Sequence, residues 1–229
     1  MTTSRSRASI PLISNSKGYM YIRIPGDIIE GQLPKSYAIK KVSVMKITGQ
    51  EHDVVLEQLS RAAGLLVESM DIRLVPAGGT KFAYALAGAR DKNDIAGVHG
   101  GIVSQRGKVH AAGSCIYGAD EYIGRIVLTA MKFDPRMRCA ATIRFFPQVL
   151  PVIDNMLLEC EAFDPSLEPP GISSMDWGVA FCCKNGVPDI CYDEGGRGKE
   201  PIIRLFGEKP MDITNNIIMI SNRMIDIEL

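Results

Sequence analysis

Between Asp193 and Gly207 the chain reads DEGGRGKEPIIRLFG. Gly195, Gly196 and Gly198 surround Arg197 and precede Lys199, a composition suited to holding an anion. Glycine reaches the positive φ at which successive backbone N–H groups converge on one point. Lys199 would add a mobile ammonium and Arg197 a two-pronged guanidinium. The nucleotide-binding P-loop needs a glycine five residues before its Gly-Lys pair and a Ser or Thr after it. Asp193 and Glu200 occupy those positions, so that motif is excluded. Two readings remain: a phosphate cradle, or a tight turn between two strands with its charges in water.

Other residues capable of chemistry are sparse. The cysteines (Cys115, Cys139, Cys160, Cys182, Cys183, Cys191) include no CxxC pair and sit in apolar contexts. They predict core thiols and a reducing, cytoplasmic setting rather than a disulfide framework or a zinc site. The three histidines, His52, His99 and His110, are too scattered to form a metal cluster. No Gly-x-Ser-x-Gly elbow, His-Glu-x-x-His pair or Gly-x-Gly-x-x-Gly fingerprint occurs.

The elements that must position the glycine stretch follow from periodicity. GYMYIRIPGD alternates, with Met20, Ile22 and Ile24 on one face and Tyr19, Tyr21 and Arg23 on the other, so a strand is expected. AIKKVSVMKI (38–47) reads as a second strand. From Glu51 the period becomes helical, with Val55, Leu59, Ala62, Leu66 and Met70 on one stripe. Downstream, strands are expected within AGGTKFAYALAGA and over Ile102–Val109, Ala141–Phe146, Asp176–Cys183 and Pro201–Phe206. Helices are expected over ADEYIGRIVLTAMKFD with Asp120 near its N-cap, over PQVLPVIDNMLLE, and from Pro210 onward with Ile213, Ile217 and Ile220 inward. This mixed alternation argues for a layered α/β domain.

Charge divides the chain. Residues 1–49 hold eight Lys/Arg against Asp27 and Glu30, a balance of +6, and residues 50–229 carry −6. The expected organisation is therefore a short basic β-type extension (1–49) and a domain (50–229). The extension is either a solvated strand pair, a homodimer contact, or a β-ribbon meeting DNA through Tyr19, Tyr21, Arg23, Lys40, Lys41 and Lys46. No run approaches the roughly 18 apolar residues of a membrane span. The first residues lack the apolar core of a secretory leader.

Several segments together carry a family resemblance: FAYAL (82–86), RIVLTAMKFDP (125–135), FDPSLEP (163–169), WGVAF (177–181) and PDICYDEGGRGKEPIIRLFG (188–207). In this order, over roughly residues 50–225, they resemble the thiamine-phosphate synthase family of the ThiN type, found mainly in archaea. The resemblance implies a three-layer α/β/α sandwich on a mixed sheet, related to the aldolase/epimerase class. It implies a reaction that joins a hydroxymethylpyrimidine diphosphate to a thiazole phosphate, with thiamine phosphate as product. Gly195, Gly196, Arg197, Gly198, Lys199, Glu200, Tyr122 and Asp176 are then the candidate ligand-binding residues. A Mg2+ ion would be expected only with a diphosphate ligand.

The chain also departs from the family pattern. A G-R-I-V motif reads Gly100-Gly101-Ile102-Val103, so the family's arginine position is Gly101. An A-S-S-H-x-x-R motif reads Ala119-Asp120-Glu121-Tyr122-Ile123-Gly124-Arg125, so its histidine position is Tyr122. Losing a cationic donor or an acid/base histidine each typically costs on the order of 100-fold. Asp120 and Glu121 also place carboxylates where a helix start would receive a diphosphate. His99 and His110 are either replacements or surface residues. The expectation is a catalytically silent domain that senses a thiamine phosphate, as in family members fused to DNA-binding segments of transcriptional regulators. A divergent active synthase is the alternative.

Overall fold

The computed structural model describes residues 12–14, 20–22, 35–171, 176–196 and 198–224, with side-chain detail from residue 49 onward. The chain divides into two compact units, Met1–Val44 and Met45–Leu229. In the first, β1 (Leu12–Ser14) pairs antiparallel with β2 (Met20–Ile22), with Ile13 opposite Tyr21. The stretch 38–47 is not the expected second strand, because it lies within helix α1 (Lys35–Ser69). Its β-branched residues favour a strand only weakly, whereas extending an existing helix adds one hydrogen bond per residue fixed. The side chains proposed for a nucleic-acid or dimer face, Tyr19 to Arg23 and Lys40 to Lys46, lie outside the described side chains.

The second unit is built on a seven-stranded sheet: β3 (Phe82–Ala85), β4 (Ile95–Val98), β7 (Cys115–Tyr117), β8 (Cys139–Arg144), β9 (Cys160–Ala162), β10 (Ile190–Asp193) and β11 (Ile202–Gly207). Its order is β7-β4-β3-β8-β11-β10-β9. All neighbours run antiparallel except β9 and β10, which are parallel. The sheet is therefore mixed. A separate hairpin, β5 (Ile102–Gln105) and β6 (Lys108–Ala111), replaces the single strand expected over Ile102–Val109. The tight turn at Arg106-Gly107, both with positive φ, folds the run back on itself.

The two-residue period of the strands sorts the core. Phe82, Tyr84, Cys139, Ala141, Ile143, Ile203 and Leu205 pack on one side with Leu59, Ala62 and Leu66 of α1. The same layer holds the short α3 (Leu150–Asp154) and α5 (Pro210–Arg223), whose Ile213, Ile217 and Ile220 are buried as expected. On the other side, Ala83, Ala85, Ala140, Cys191 and Phe206 meet Ile123, Ile126, Val127 and Ala130 of α2 (Glu121–Phe133). Asp120 caps α2 by accepting a hydrogen bond from the Ile123 amide at 3.1 Å. Val179 and Cys182 of α4 (Trp177–Cys182) complete that layer. This is the three-layer α/β/α sandwich expected of the sequence.

A second expected strand is also a helix. Asp176–Cys183 is helical because WGVAFC packs across α2 on top of the sheet, where a strand would have no ladder to join. A short apolar run carries no period that separates the two.

Candidate functional site

The glycine stretch joins β10 to β11. Gly196 and Lys199 exchange both backbone hydrogen bonds, at 3.1 and 2.9 Å, closing a tight turn. The Gly195 amide donates to Asp193 Oδ1 at 2.9 Å. Gly195 has φ +75°, and a Cβ there would stand 2.6 Å from the Lys199 carbonyl oxygen, so this position demands glycine. The amides of Gly195, Gly196 and Lys199 are thus engaged within the turn itself. Arg197 lies outside the described residues. Lys199 Nζ meets Glu168 Oε2 at 3.2 Å. Glu200 accepts from Arg144 Nε at 2.8 Å and from the Ala77 amide at 2.8 Å. A pocket of about 280 Å3 lined by Val75, Ala77, Val103, Ser104 and Arg144 opens beside that pair.

The loop sits at one end of the sheet, and that end carries a row of polar side chains absent from the sequence reading. Alternation from Ala83, Ala140, Cys191 and Phe206 puts Lys81, Thr142, Asp193 and Arg204 on the α2 side. Arg204 stands opposite Thr142 on β8. The Lys81 amide donates to Thr142 Oγ1 at 2.9 Å and its carbonyl accepts from the Thr142 amide at 2.8 Å. Lys81, Thr142 and Arg204 are therefore neighbours across three strands. A lone arginine within the apolar run IIRLF was the signal that could have revealed this row.

Arg204 is almost wholly buried, its side chain 3% exposed, and its Nη1 donates to Asp193 Oδ2 at 2.7 Å. Burial works against its charge, but Tyr122 and Asp193 outweigh that and hold its pKa above the ordinary value. Its guanidinium lies over the Phe163 ring, 5.1 Å from the centroid. Its Nη2 approaches Tyr122 Oη at 3.3 Å, which brings Tyr122 into the site from the first turn of α2. Arg204 Nε is buried with no hydrogen-bond partner among the described residues, leaving a donor to spare.

At the start of α2, Lys81 Nζ meets Asp120 Oδ2 at 3.2 Å. Glu121 points outward to Lys92 at 3.7 Å. The helix start is accordingly not the bare cluster of carboxylates expected from its sequence, since each carboxylate has a lysine beside it. Gly101, which the resemblance sets against the family's arginine, has φ +81°, and a Cβ there would lie 2.8 Å from the Thr80 carbonyl oxygen. This backbone excludes a side chain. Asp176, where α4 begins, pairs with Arg125. The two line a cleft of about 380 Å3 with Arg90 and Lys132. Trp177 follows Asp176 and stacks on Phe181 at 5.5 Å. His99 and His110 are both exposed.

Cys139, Cys182, Cys183 and Cys191 are buried in the core as expected, and Cys115 and Cys160 are half-buried against it. Cys182 Sγ and Cys191 Sγ lie 2.6 Å apart in the α2-side layer as free thiols, and burial pushes the Cys191 thiol well above its ordinary pKa. Among the described residues no group of three or more His, Cys, Asp or Glu is arranged to hold a metal ion. Asp120, Asp193 and Glu200 are each committed to a cation, so the donor set does not suit a protein-held Mg2+. No described helix is long and apolar enough to cross a membrane.

The second unit is thus an α/β/α domain with a partly buried row of ion-paired side chains at one end of a mixed sheet. Residues 58–219 match the family model for the thiamine-phosphate synthase ThiN, and the chain belongs to that family. It is 34% identical over 169 residues to the bifunctional thiamine biosynthesis protein ThiDN of Methanocaldococcus jannaschii, covering 72% of this chain but only 40% of that protein. It is 27% identical over 173 residues to the thiamine-phosphate synthase ThiN of Methanothermobacter thermautotrophicus, covering 72% of this chain and 91% of the relative. A crystal structure of the C-terminal domain of phosphomethylpyrimidine kinase superposes with a TM-score of 0.69 at 32% identity, over 72% of this chain and 97% of that one.

Proposed function

We propose that the sheet end binds phosphorylated thiamine-type ligands and that the domain joins a hydroxymethylpyrimidine diphosphate to a thiazole phosphate. The observation that carries this reading is the row of Lys81, Thr142 and Arg204 beneath the start of α2, with Arg144 and Lys199 at the same end. In the reaction the bond between the pyrimidine methylene carbon and the diphosphate oxygen breaks, and its electron pair leaves with the diphosphate. The thiazole nitrogen supplies a lone pair for the new carbon–nitrogen bond. That nitrogen bears no proton, so the step needs no base at the nucleophile. It needs positive charge where the diphosphate gathers its electrons, in a place shielded from water. Lys81 and the buried Arg204 would supply that charge as the diphosphate competes with their carboxylates, Asp120 and Asp193. Any Mg2+ would arrive on the diphosphate as part of the substrate.

A second reading, a silent sensor of thiamine phosphate, is favoured by Tyr122 at the family's histidine position, where its hydroxyl meets Arg204. The two readings separate in one pair of measurements. Calorimetric titration with thiamine phosphate tests binding, and a coupled assay for diphosphate release from the two precursors tests turnover. Release that requires both precursors, at roughly 1 per second, is the expected result. Tight thiamine phosphate binding with no release supports the sensor. Neither binding nor release overturns both.

A further inference from the structure

We infer that Lys81 is the side chain that receives the departing diphosphate. This rests on the synthase reading above, but its geometry stands independently. Thr142 fixes the Lys81 backbone from both sides, through the 2.9 Å and 2.8 Å hydrogen bonds. The Lys81 side chain is 23% exposed, so its ammonium is within reach of a ligand yet largely screened from water, where a charge contact is strongest.

The surroundings leave that ammonium approachable. Position 101 contributes no side chain, and an atom built there would sit only 3.6 Å from Lys81 Nζ. Asp120 holds the ammonium with one oxygen and caps α2 with the other. A diphosphate carries more negative charge than one carboxylate and competes for Lys81, while Asp120 keeps its cap to the Ile123 amide. Arg204 stands two strands away, about 10 Å at the usual strand spacing, a separation that long side chains close around a diphosphate.

The other cations are held differently. Arg204 is buried against Asp193, and Arg144 is fixed by Glu200, itself anchored to the Ala77 amide. Lys199 is about half exposed at the hairpin turn, better placed for a phosphate at the mouth of the site. Lys81 shares its carboxylate with the cap of α2.

The test uses inorganic diphosphate as the probe, titrated by calorimetry into the full chain. Four proteins form a cycle: the unaltered chain, Lys81→Met, Asp120→Asn and the double variant. Lys81→Met should weaken diphosphate by about tenfold or more, and thiamine phosphate, which lacks that group, by much less. Asp120→Asn preserves a good cap and frees Lys81, so it should tighten diphosphate several-fold. In the Lys81→Met background the Asp120→Asn gain should largely disappear, because the two residues act as a pair. Lys81→Arg should retain most of the binding. For turnover, Lys81→Met should lower kcat by about 100-fold with little change in KM for the thiazole phosphate.

If Lys81→Met binds diphosphate as the unaltered chain does, the assignment is overturned. Should Lys81→Met fail to fold, Asp120→Asn decides instead: no tightening overturns the assignment. An unaltered chain that binds diphosphate through Lys81 yet releases none from the precursors would refute the synthase reading and with it the leaving-group role, leaving Lys81 as a diphosphate contact alone.

Discussion

Replacing Asp193 by asparagine removes one charge and little else. Asp193 joins the two halves of the site, since Oδ2 takes the buried Arg204 and Oδ1 takes the Gly195 amide. Asparagine keeps an acceptor for Gly195 but leaves the guanidinium without its counter-charge in a place 3% exposed. Removing one partner of a buried pair costs about 3–5 kcal/mol. The retained hydrogen bond argues for the lower end, about 3 kcal/mol. For a domain of this size each kcal/mol moves Tm by about 2–4 °C, so a fall of about 6–12 °C is expected. The assay is thermal unfolding followed by circular dichroism. The double variant Asp193→Asn with Arg204→Met should recover much of the loss, because the uncompensated charge has gone with its partner. A fall below about 2 °C, or no recovery in the double variant, would mean that Arg204 is hydrated and that the row is not the enclosed site described above.

Two further outcomes bear on the loop. Lys199→Ala should weaken thiamine phosphate by one to two decades, the worth of a charged hydrogen bond of about 1.5–3 kcal/mol, and leave thiamine nearly unchanged; equal loss for both ligands in calorimetry would make the loop a structural turn. Gly195→Ala should weaken phosphate binding and lower Tm together, since a Cβ meets the Lys199 carbonyl oxygen at 2.6 Å, and unaltered binding and melting would show that the turn relaxes freely.

Most of the sandwich was legible because its signals are local. The α1 stripe from Val55 to Leu66, the Asp120 cap and the Pro210 start each follow from a few neighbouring residues. The failures are equally physical. Residues 38–47 and 176–183 carry strand-forming residues, yet one continues a helix already begun and the other packs across α2. The glycine loop announced itself, but glycines mark a permitted φ and not the partners that its amides take. Lys81, Thr142, Asp193 and Arg204 each appear singly in the sequence. Only the register of neighbouring strands makes them a row. The acidic helix start shows the same limit. Asp120 looks repulsive to an anion until Lys81, far away in sequence, is brought beside it.

A site drawn from four strands belongs to no fragment of the chain. β3, which Lys81 precedes, pairs with β8, and β8 in turn waits for β11 from close to the end of the domain. A chain that has formed only its local hairpins and helices holds none of the row in place. A ligand of this site therefore binds the folded form and ignores the unfolded one. By mass action, ligand at a hundred times its Kd adds about 2.7 kcal/mol to the folded state. The standing population of this domain in a cell would then follow the supply of its own ligand, with scarcity exposing more chains to proteolysis.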